Sequence, residues 1–299
     1  MIVNATIKKE GNNMILKLYD DADAYLRDYE EVLLQRESIS QLVLYDAYRS
    51  RNNPNEFKGL FGVVVDGGLT LLHFSNLPPR NLSVYIQDNS KDIRIAAMLL
   101  ADFLAEKQII PEGLNAKYEV CEAFIEQFSK KLKCTFAERI ALDIMEIRQV
   151  NDIKPAEGIT RPAMPNEVKL LTEWMIQYQI EALAKEVDYE SALLCTSNLI
   201  NHNKLYIFEN SQQNVVSMAS TTRQLARGIA ISYVYTPEEY RGMGYGATNI
   251  YNISKKHLDE GNEFCTLFVD KKNMLSKRAY EKVGYSIIDD MYEYKLLQV

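Results

Sequence analysis

Residues 235–251 read YTPEEYRGMGYGATNIY, and they set three of the chain's 13 glycines, Gly242, Gly244 and Gly246, at alternate positions just after Arg241. The stretch joins a predicted strand ending near Thr236 to a predicted helix running from about Gly244 to Glu260. Glycines let successive main-chain N–H groups converge on one point without shielding side chains. The first N–H groups of a helix are unpaired and carry the positive end of its dipole. With a guanidinium beside them they form a receptacle for a phosphate or diphosphate. The plain alternative is a Gly-rich strand-to-helix turn with no ligand.

The hexad GMGYGA formally satisfies the dinucleotide pattern G-x-G-x-x-G/A, with Asp259, Glu260 and Glu263 near the expected acidic position. Context rejects that reading. A dinucleotide fold places the pattern directly after its first strand and follows it with several βαβ units. Here PEEYR intervenes, and too little chain remains. No Gly-Lys-Ser/Thr follows, which removes the P-loop as well.

Outward from this stretch, the rest of the second half reads as alternating elements. NEVKLLTEWMIQYQIEALAKE and DYESALLCTSNLI are helices, KLYIFEN, VVSMASTTR and GIAISYVYT are strands, and EFCTLFVD is a strand buried on both faces. A helix over about 273–283 and the strand MYEYKLL close the chain. The first half echoes this order: a helical region at 21–50, a hairpin turning at Gly67-Gly68, the strand NLSVYIQ, and the helices IRIAAMLLADFLAEK and YEVCEAFIEQFSKKL, with ERIALDIMEIRQV completing the set. NDIKPAEGITRPAMP, residues 151–165, is the linker candidate. The fold class is therefore α+β, with 1–150 as one domain and 159–299 as the other.

The formal net charge of −7 argues against a broad nucleic-acid or anionic-membrane surface and suits a cationic small partner. Four cysteines without paired spacing and three histidines give no metal-ligand pattern, so no metal is expected. The opening stretch MIVNATIKKEGNNMILKLYD lacks a signal peptide's apolar core, and no run is long enough for a membrane helix; a cytoplasmic protein is expected.

Arg241, Gly244 and Gly246 fit the pattern Arg/Gln-x-x-Gly-x-Gly/Ala, and the second half resembles the GNAT superfamily of acyl-CoA-dependent N-acyltransferases. NMLSKRAYEKVGY resembles a second segment of that family through Asn273, Ser276, Tyr280 and Gly284-Tyr285. At about 100° per residue, Asn273, Ser276 and Tyr280 fall within about 60° of one another, with Leu275, Ala279 and Val283 on another face expected to pack on the sheet. The resemblance covers residues from roughly 159 to 299. It implies tandem GNAT-like domains, each a mixed, mostly antiparallel sheet with helices on both faces. It implies acetyl-CoA as donor, with Val234, Tyr235 and Thr236 pairing with the pantetheine arm. The main-chain groups of Gly242, Met243, Gly244, Tyr245, Gly246 and Ala247, with Arg241, would hold the diphosphate, while Asn273 and Ser276 would hold the far side of the pantetheine. Tyr280 is placed as the general acid for the departing thiolate.

The implied acceptor is a small-molecule amine or a peptide N-terminus. An alkyl ammonium must lose a proton before it attacks, at a cost of about 4–5 kcal/mol at neutral pH. No base stands out: Glu238, Glu239 and Asp270 lie near strand ends, where carboxylates are commonly solvated or capping groups. A main-chain N–H at or near Val234 is the expected oxyanion donor. Arg223 and Arg227 read as solvated loop residues, His257 as a helix-end residue, and Trp174 and Tyr178 as core near the acceptor. The first half offers NLPPRNLSVYIQDNSKD where a phosphate loop belongs, without glycine and with two prolines, and reads as a degenerate domain. Walling the acceptor site, homodimerisation and partner recognition are the roles open to it. The rival class is a non-catalytic acyl-CoA sensor.

Overall fold

A computed structural model describes residues 14–89, 92–183 and 186–298. Residues 1–13, which entered the expectation of a cytoplasmic protein, lie outside the described residues, as do Ala184 and Lys185 at the end of one predicted helix. The first half runs β1 (Met14–Tyr19), α1 (Ala22–Leu34), α2 (Glu37–Asn52), β2 (Leu60–Asp66), β3 (Leu69–Asn76), β4 (Leu82–Ile86), α3 (Ile93–Glu106), β5 (Gly113–Ala116), α4 (Tyr118–Leu132) and β6 (Thr135–Ile147). The second repeats that order: β7 (Gly158–Pro162), α5 (Val168–Leu183), α6 (Tyr189–Asn201), β8 (Leu205–Asn210), β9 (Val215–Gln224), β10 (Gly228–Tyr235), α7 (Tyr245–Asp259), β11 (Phe264–Asp270), α8 (Met274–Val283) and β12 (Ser286–Gln298).

The chain divides into two compact units, residues 1–142 with 290–299, and residues 143–289. The first has strand order β1-β2-β3-β4-β5-β12 and the second β7-β8-β9-β10-β11-β6. Each unit therefore completes its sheet with residues from the other half of the sequence, 290–298 of β12 in the first and 143–147 of β6 in the second. In the first, β12 pairs antiparallel with β5, Tyr292 opposite Ala116. Both sheets are antiparallel along their first four strands and parallel between the fourth and fifth, at β4/β5 and at β10/β11. β7 lies inside the proline-rich stretch read as a linker. It is an edge strand, pairing with β8 from Gly158↔Asn210 to Pro162↔Tyr206, and an edge tolerates proline.

Alternation along the strands gives each sheet two apolar faces. In the first unit Val63 packs with α1 and α2, while its neighbour Val64 packs with α3 and α4. In the second, Met218 faces α5 and α6 and Ala219 faces α7 and α8. The expected mixed, mostly antiparallel sheets with helices on both faces are present. The β2–β3 turn is made by Gly67 and Gly68 at φ +58° and +86°, the left-handed pair a two-residue hairpin requires.

The structure moves one boundary. The two prolines taken to spoil a phosphate loop in the first half, Pro78 and Pro79, sit before β4, in the β3–β4 connection. The connection that corresponds to the glycine stretch is instead 87–92, between β4 and α3. Its Ser90 and Lys91 lie outside the described residues.

Candidate donor site on the second unit

β10 is irregular twice against β9, first between Ala230 and Ile231, where the partners pass from Arg223 to Thr221, and again at the site. Its parallel ladder with β11 runs from Gly228↔Phe264 to Ile231↔Leu267, after which β10 continues to Tyr235 and β11 to Asp270. On its other side, Ser232 faces Ser220 and the next matched pair is Tyr235↔Met218. Tyr233 and Val234 therefore stand against the single residue Ala219, which is a β-bulge. Tyr233 takes φ +52°, a strained conformation for an aromatic residue. Such a bulge turns main-chain groups out of the ladder. Val234 packs toward the α7 side, and Tyr233 and Tyr235 toward α5 and α6.

The glycine stretch follows. Gly242 and Gly244 have φ +77° and +81°, with open space where a Cβ would lie, so backbone conformation selects glycine there. Gly246 is glycine for a different reason: an added Cβ would come 2.9 Å from Thr236 Oγ1. Thr236 is fixed in turn, its hydroxyl donating to Ser217 Oγ at 3.0 Å, while Ser217 Oγ donates to the Tyr235 carbonyl at 3.1 Å. Gly244 is the N-cap of α7, and no side chain caps that helix or places an acidic group in its first turn. The amides of Tyr245, Gly246 and Ala247 thus begin a 15-residue helix without a carboxylate on them. Tyr245 anchors the turn by packing its ring on Phe208 at 5.6 Å, and Met243 stays exposed.

Arg241 stands at the rim. Its Nε donates to the Thr236 carbonyl at 2.9 Å, and its guanidinium lies 5.7 Å from the Tyr235 ring centre. Nη2 donates to Glu181 Oε2 at 2.6 Å, and the Tyr235 hydroxyl donates to Glu181 Oε1 at 3.1 Å. Partial burial pulls the Arg241 pKa down, and the Glu181 carboxylate more than offsets it, leaving the guanidinium raised. Glu181 was absent from the sequence-based site. The signal was there, since Trp174, Tyr178 and Glu181 stand at i, i+4 and i+7 of α5, one face of the helix.

On α8 the expected orientation holds at Val283 and fails at Leu275 and Tyr280. Leu275, assigned to the sheet-packing face, is 80 % exposed, whereas Tyr280 is buried at 7 % beside the fully buried Val283. The large ring supplies more buried apolar surface than Leu275 could at the helix's first turn. Asn273 N-caps the helix, its Oδ1 accepting from the Ser276 amide at 3.0 Å. Burial pushes the Tyr280 hydroxyl well above the ordinary tyrosine value, Tyr178 adds to the shift, and a hydrogen bond with Ser276 opposes it. Tyr178 also meets Tyr233 edge to face at 5.5 Å, so its ring connects the surroundings of Tyr280 with the bulge. Tyr233 is hydrogen-bonded to Cys195, whose thiol burial pushes up.

Other candidates lie elsewhere or are otherwise engaged. Arg223 covers Phe268 at 5.3 Å, and Arg227 approaches Glu263 at 3.5 Å. Glu238 and Glu239 are exposed, Asp270 Oδ1 accepts from the Lys272 amide at 2.9 Å, and His257 is buried against Tyr206. Among the described residues no group of His, Cys, Asp and Glu is arranged to hold a metal ion, and no helix is long and apolar enough to cross a membrane.

A family model described as Acetyltransferase (GNAT) family matches residues 168–285. Among solved structures, a Drosophila protein aligns with a TM-score of 0.65 at 13% identity, covering 96% of this chain and 99% of its own. A GCN5-related N-acetyltransferase from Sphaerobacter thermophilus aligns with a TM-score of 0.56 at 14% identity, covering 97% and 98%. A GNAT-family acetyltransferase from Colwellia psychrerythraea aligns with a TM-score of 0.52 at 9% identity, covering 94% and 99%. At these identities the likeness is one of fold. No curated protein matches the sequence.

Proposed function

We propose that the chain moves an acetyl group from acetyl-CoA to a primary amine, a small molecule or a peptide N-terminus, a reading supported by the match of residues 168–285 to the GNAT acetyltransferase family model. The observation that carries this reading is the mouth of α7. Two glycines with positive φ and a third with no room for a Cβ lead into a helix end bare of side-chain caps, and Arg241 stands beside it. That arrangement fits a diphosphate, which needs convergent amides and a planar cation and would be repelled by an acidic cap.

When bound, acetyl-CoA supplies a thioester whose C–S bond breaks as the amine forms the new C–N bond, the sulfur leaving as a thiol with one proton. The chain's own residues divide the remaining tasks. The amides from Gly242 to Ala247, with Arg241, hold the diphosphate. Main-chain groups of Val234, Tyr235 and Thr236, at and after the bulge, meet the pantetheine arm. The Val234 N–H is the donor for charge developing on the carbonyl oxygen, and a fixed dipole suits that role because it need not reorganise. Burial keeps the Tyr280 hydroxyl protonated across the physiological range and also makes it a weaker acid, so its role in this reading is to hand over its proton as negative charge develops on sulfur. Asn273 and Ser276 shape the turn ahead of it and face the pantetheine.

In this reading 159–299 is the donor-binding domain, and the first half, 1–150, is a related domain without donor chemistry. The test is release of free thiol from acetyl-CoA by the full chain across a panel of primary amines. We expect release that depends on the amine. Tight CoA binding with no release for any amine would instead make the second half an acyl-CoA sensor.

A further inference from the structure

The Arg241 guanidinium already lies in a cation receptacle. It rests over the Tyr235 ring, which packs on Trp174 at 6.1 Å, and donates to the Glu181 carboxylate, which also accepts from the Tyr235 hydroxyl. Aromatic faces with a carboxylate at their edge are the surroundings an organic ammonium prefers. The same guanidinium is the side chain assigned to the diphosphate. Nε is held by the Thr236 carbonyl and Nη2 by Glu181, so a phosphate oxygen approaching that edge competes with Glu181, which would repel a phosphate brought that close. Both side chains of the pair are more than two-fifths exposed, at 44% and 43%, so the contact is weak enough to exchange.

We propose that Glu181 is an exchange carboxylate: it holds Arg241 in the free chain and, once the donor's diphosphate takes the guanidinium, receives the ammonium group of the acceptor. This rests on the acyl-CoA reading of the site. It gives the acceptor a chemical class, an amine with a second positive charge to occupy the receptacle while its primary amine reacts. It also gives an order of binding, donor first. Linkage then requires the reverse coupling, each ligand tightening the other.

Calorimetry on the full chain with CoA and with 1,4-diaminobutane tests it. Glu181→Gln should tighten CoA about threefold to tenfold, because a competitor and a repelling charge are both removed. The same change in an Arg241→Gln background should tighten CoA by no more than about twofold, since only the repulsion of an exposed carboxylate is then relieved. Wild-type chain saturated with CoA should bind the diamine at least about fivefold tighter than free chain, and Glu181→Gln should abolish that difference. CoA that binds the wild type but binds Glu181→Gln equally or more weakly overturns the proposal, as does diamine affinity indifferent to CoA. Failure of CoA to bind the wild type at all would instead overturn the acyl-CoA reading beneath it.

Discussion

The two units share an order of elements and part company at the same joint, the connection from their fourth strand to their third helix. In the first unit Asp92 caps α3, its Oδ1 accepting from the amides of Arg94 at 3.0 Å and Ile95 at 3.3 Å. In the second, Gly244 caps α7 with no side chain at all. A carboxylate placed on the first amides of a helix stabilises it and occupies the position an anionic ligand would need. The layers beneath the first helix pairs differ in the same sense. Under α1, the rings of Tyr25, Tyr29 and Tyr85 meet a fully buried His73, and Phe61 stacks on Tyr25. One His73 nitrogen meets the Tyr25 hydroxyl at 2.8 Å and the other Gln87 Oε1 at 2.5 Å, so the layer is closed. Under α5, Tyr178, Tyr233 and Tyr235 remain partly exposed beside a bulge. The same architecture is completed internally in one unit and left open in the other.

The largest effect that could break this contrast is expected at Tyr280. Tyr280→Phe should lower turnover a hundredfold or more, the usual range for a lost general acid, with CoA affinity within about twofold of wild type in steady-state and calorimetric measurements. Turnover unchanged by the substitution would take the second unit's buried tyrosine out of the chemistry.

Next comes the closed layer of the first unit. Burial lowers the His73 pKa from its ordinary 6.5 to about 4, with the Gln87 contact opposing the shift. Below pH 6.5 the unfolded chain takes up a proton that the folded chain refuses. Stability from this group is therefore present above pH 6.5 and is lost as pH falls toward 4, by up to about 3 kcal/mol. Urea midpoints between pH 7.5 and 4.5 should show this loss in the wild type and little of it in His73→Gln, corrected for the variant's own stability. Equal acid sensitivity in both would show the layer open to water.

Arg241→Gln should weaken CoA about tenfold by removing one charge-assisted contact to the diphosphate. Smallest is the cap: Asp92→Ala should cost about 1 kcal/mol of stability in denaturant titrations. It should leave CoA stoichiometry at one per chain, because the first unit lacks the glycines as well as an open helix end. A second CoA equivalent would show that the cap alone separates the units.

Much of this was legible in the residues. The glycines announced the α7 turn, continuous apolar character announced β11, and period-3.6 patterning placed α3 and α4 within a residue of their observed bounds. The strands β1, β5 and β7 were not called, because they are short and their pairing comes from tertiary neighbours; GLNA carries no pattern that marks a strand. The division of the chain after Leu142 and before Asp290 is invisible to composition, since it follows from which strands pair. Glu181 shared a helical face with Trp174 and Tyr178, yet its value depends on Arg241, sixty residues away in sequence. The orientation of α8 misled because Tyr280 was counted with the polar residues, and its ring went to the core.

Hydrogen–deuterium exchange of the full chain, with and without CoA, tests the central claim most directly. The account predicts that CoA slows exchange of the amides from Gly242 to Ala247 and leaves those from Ile93 to Ala97 unchanged. Bound CoA that leaves 242–247 exchanging as in the free chain, or that protects the start of α3 instead, would contradict it.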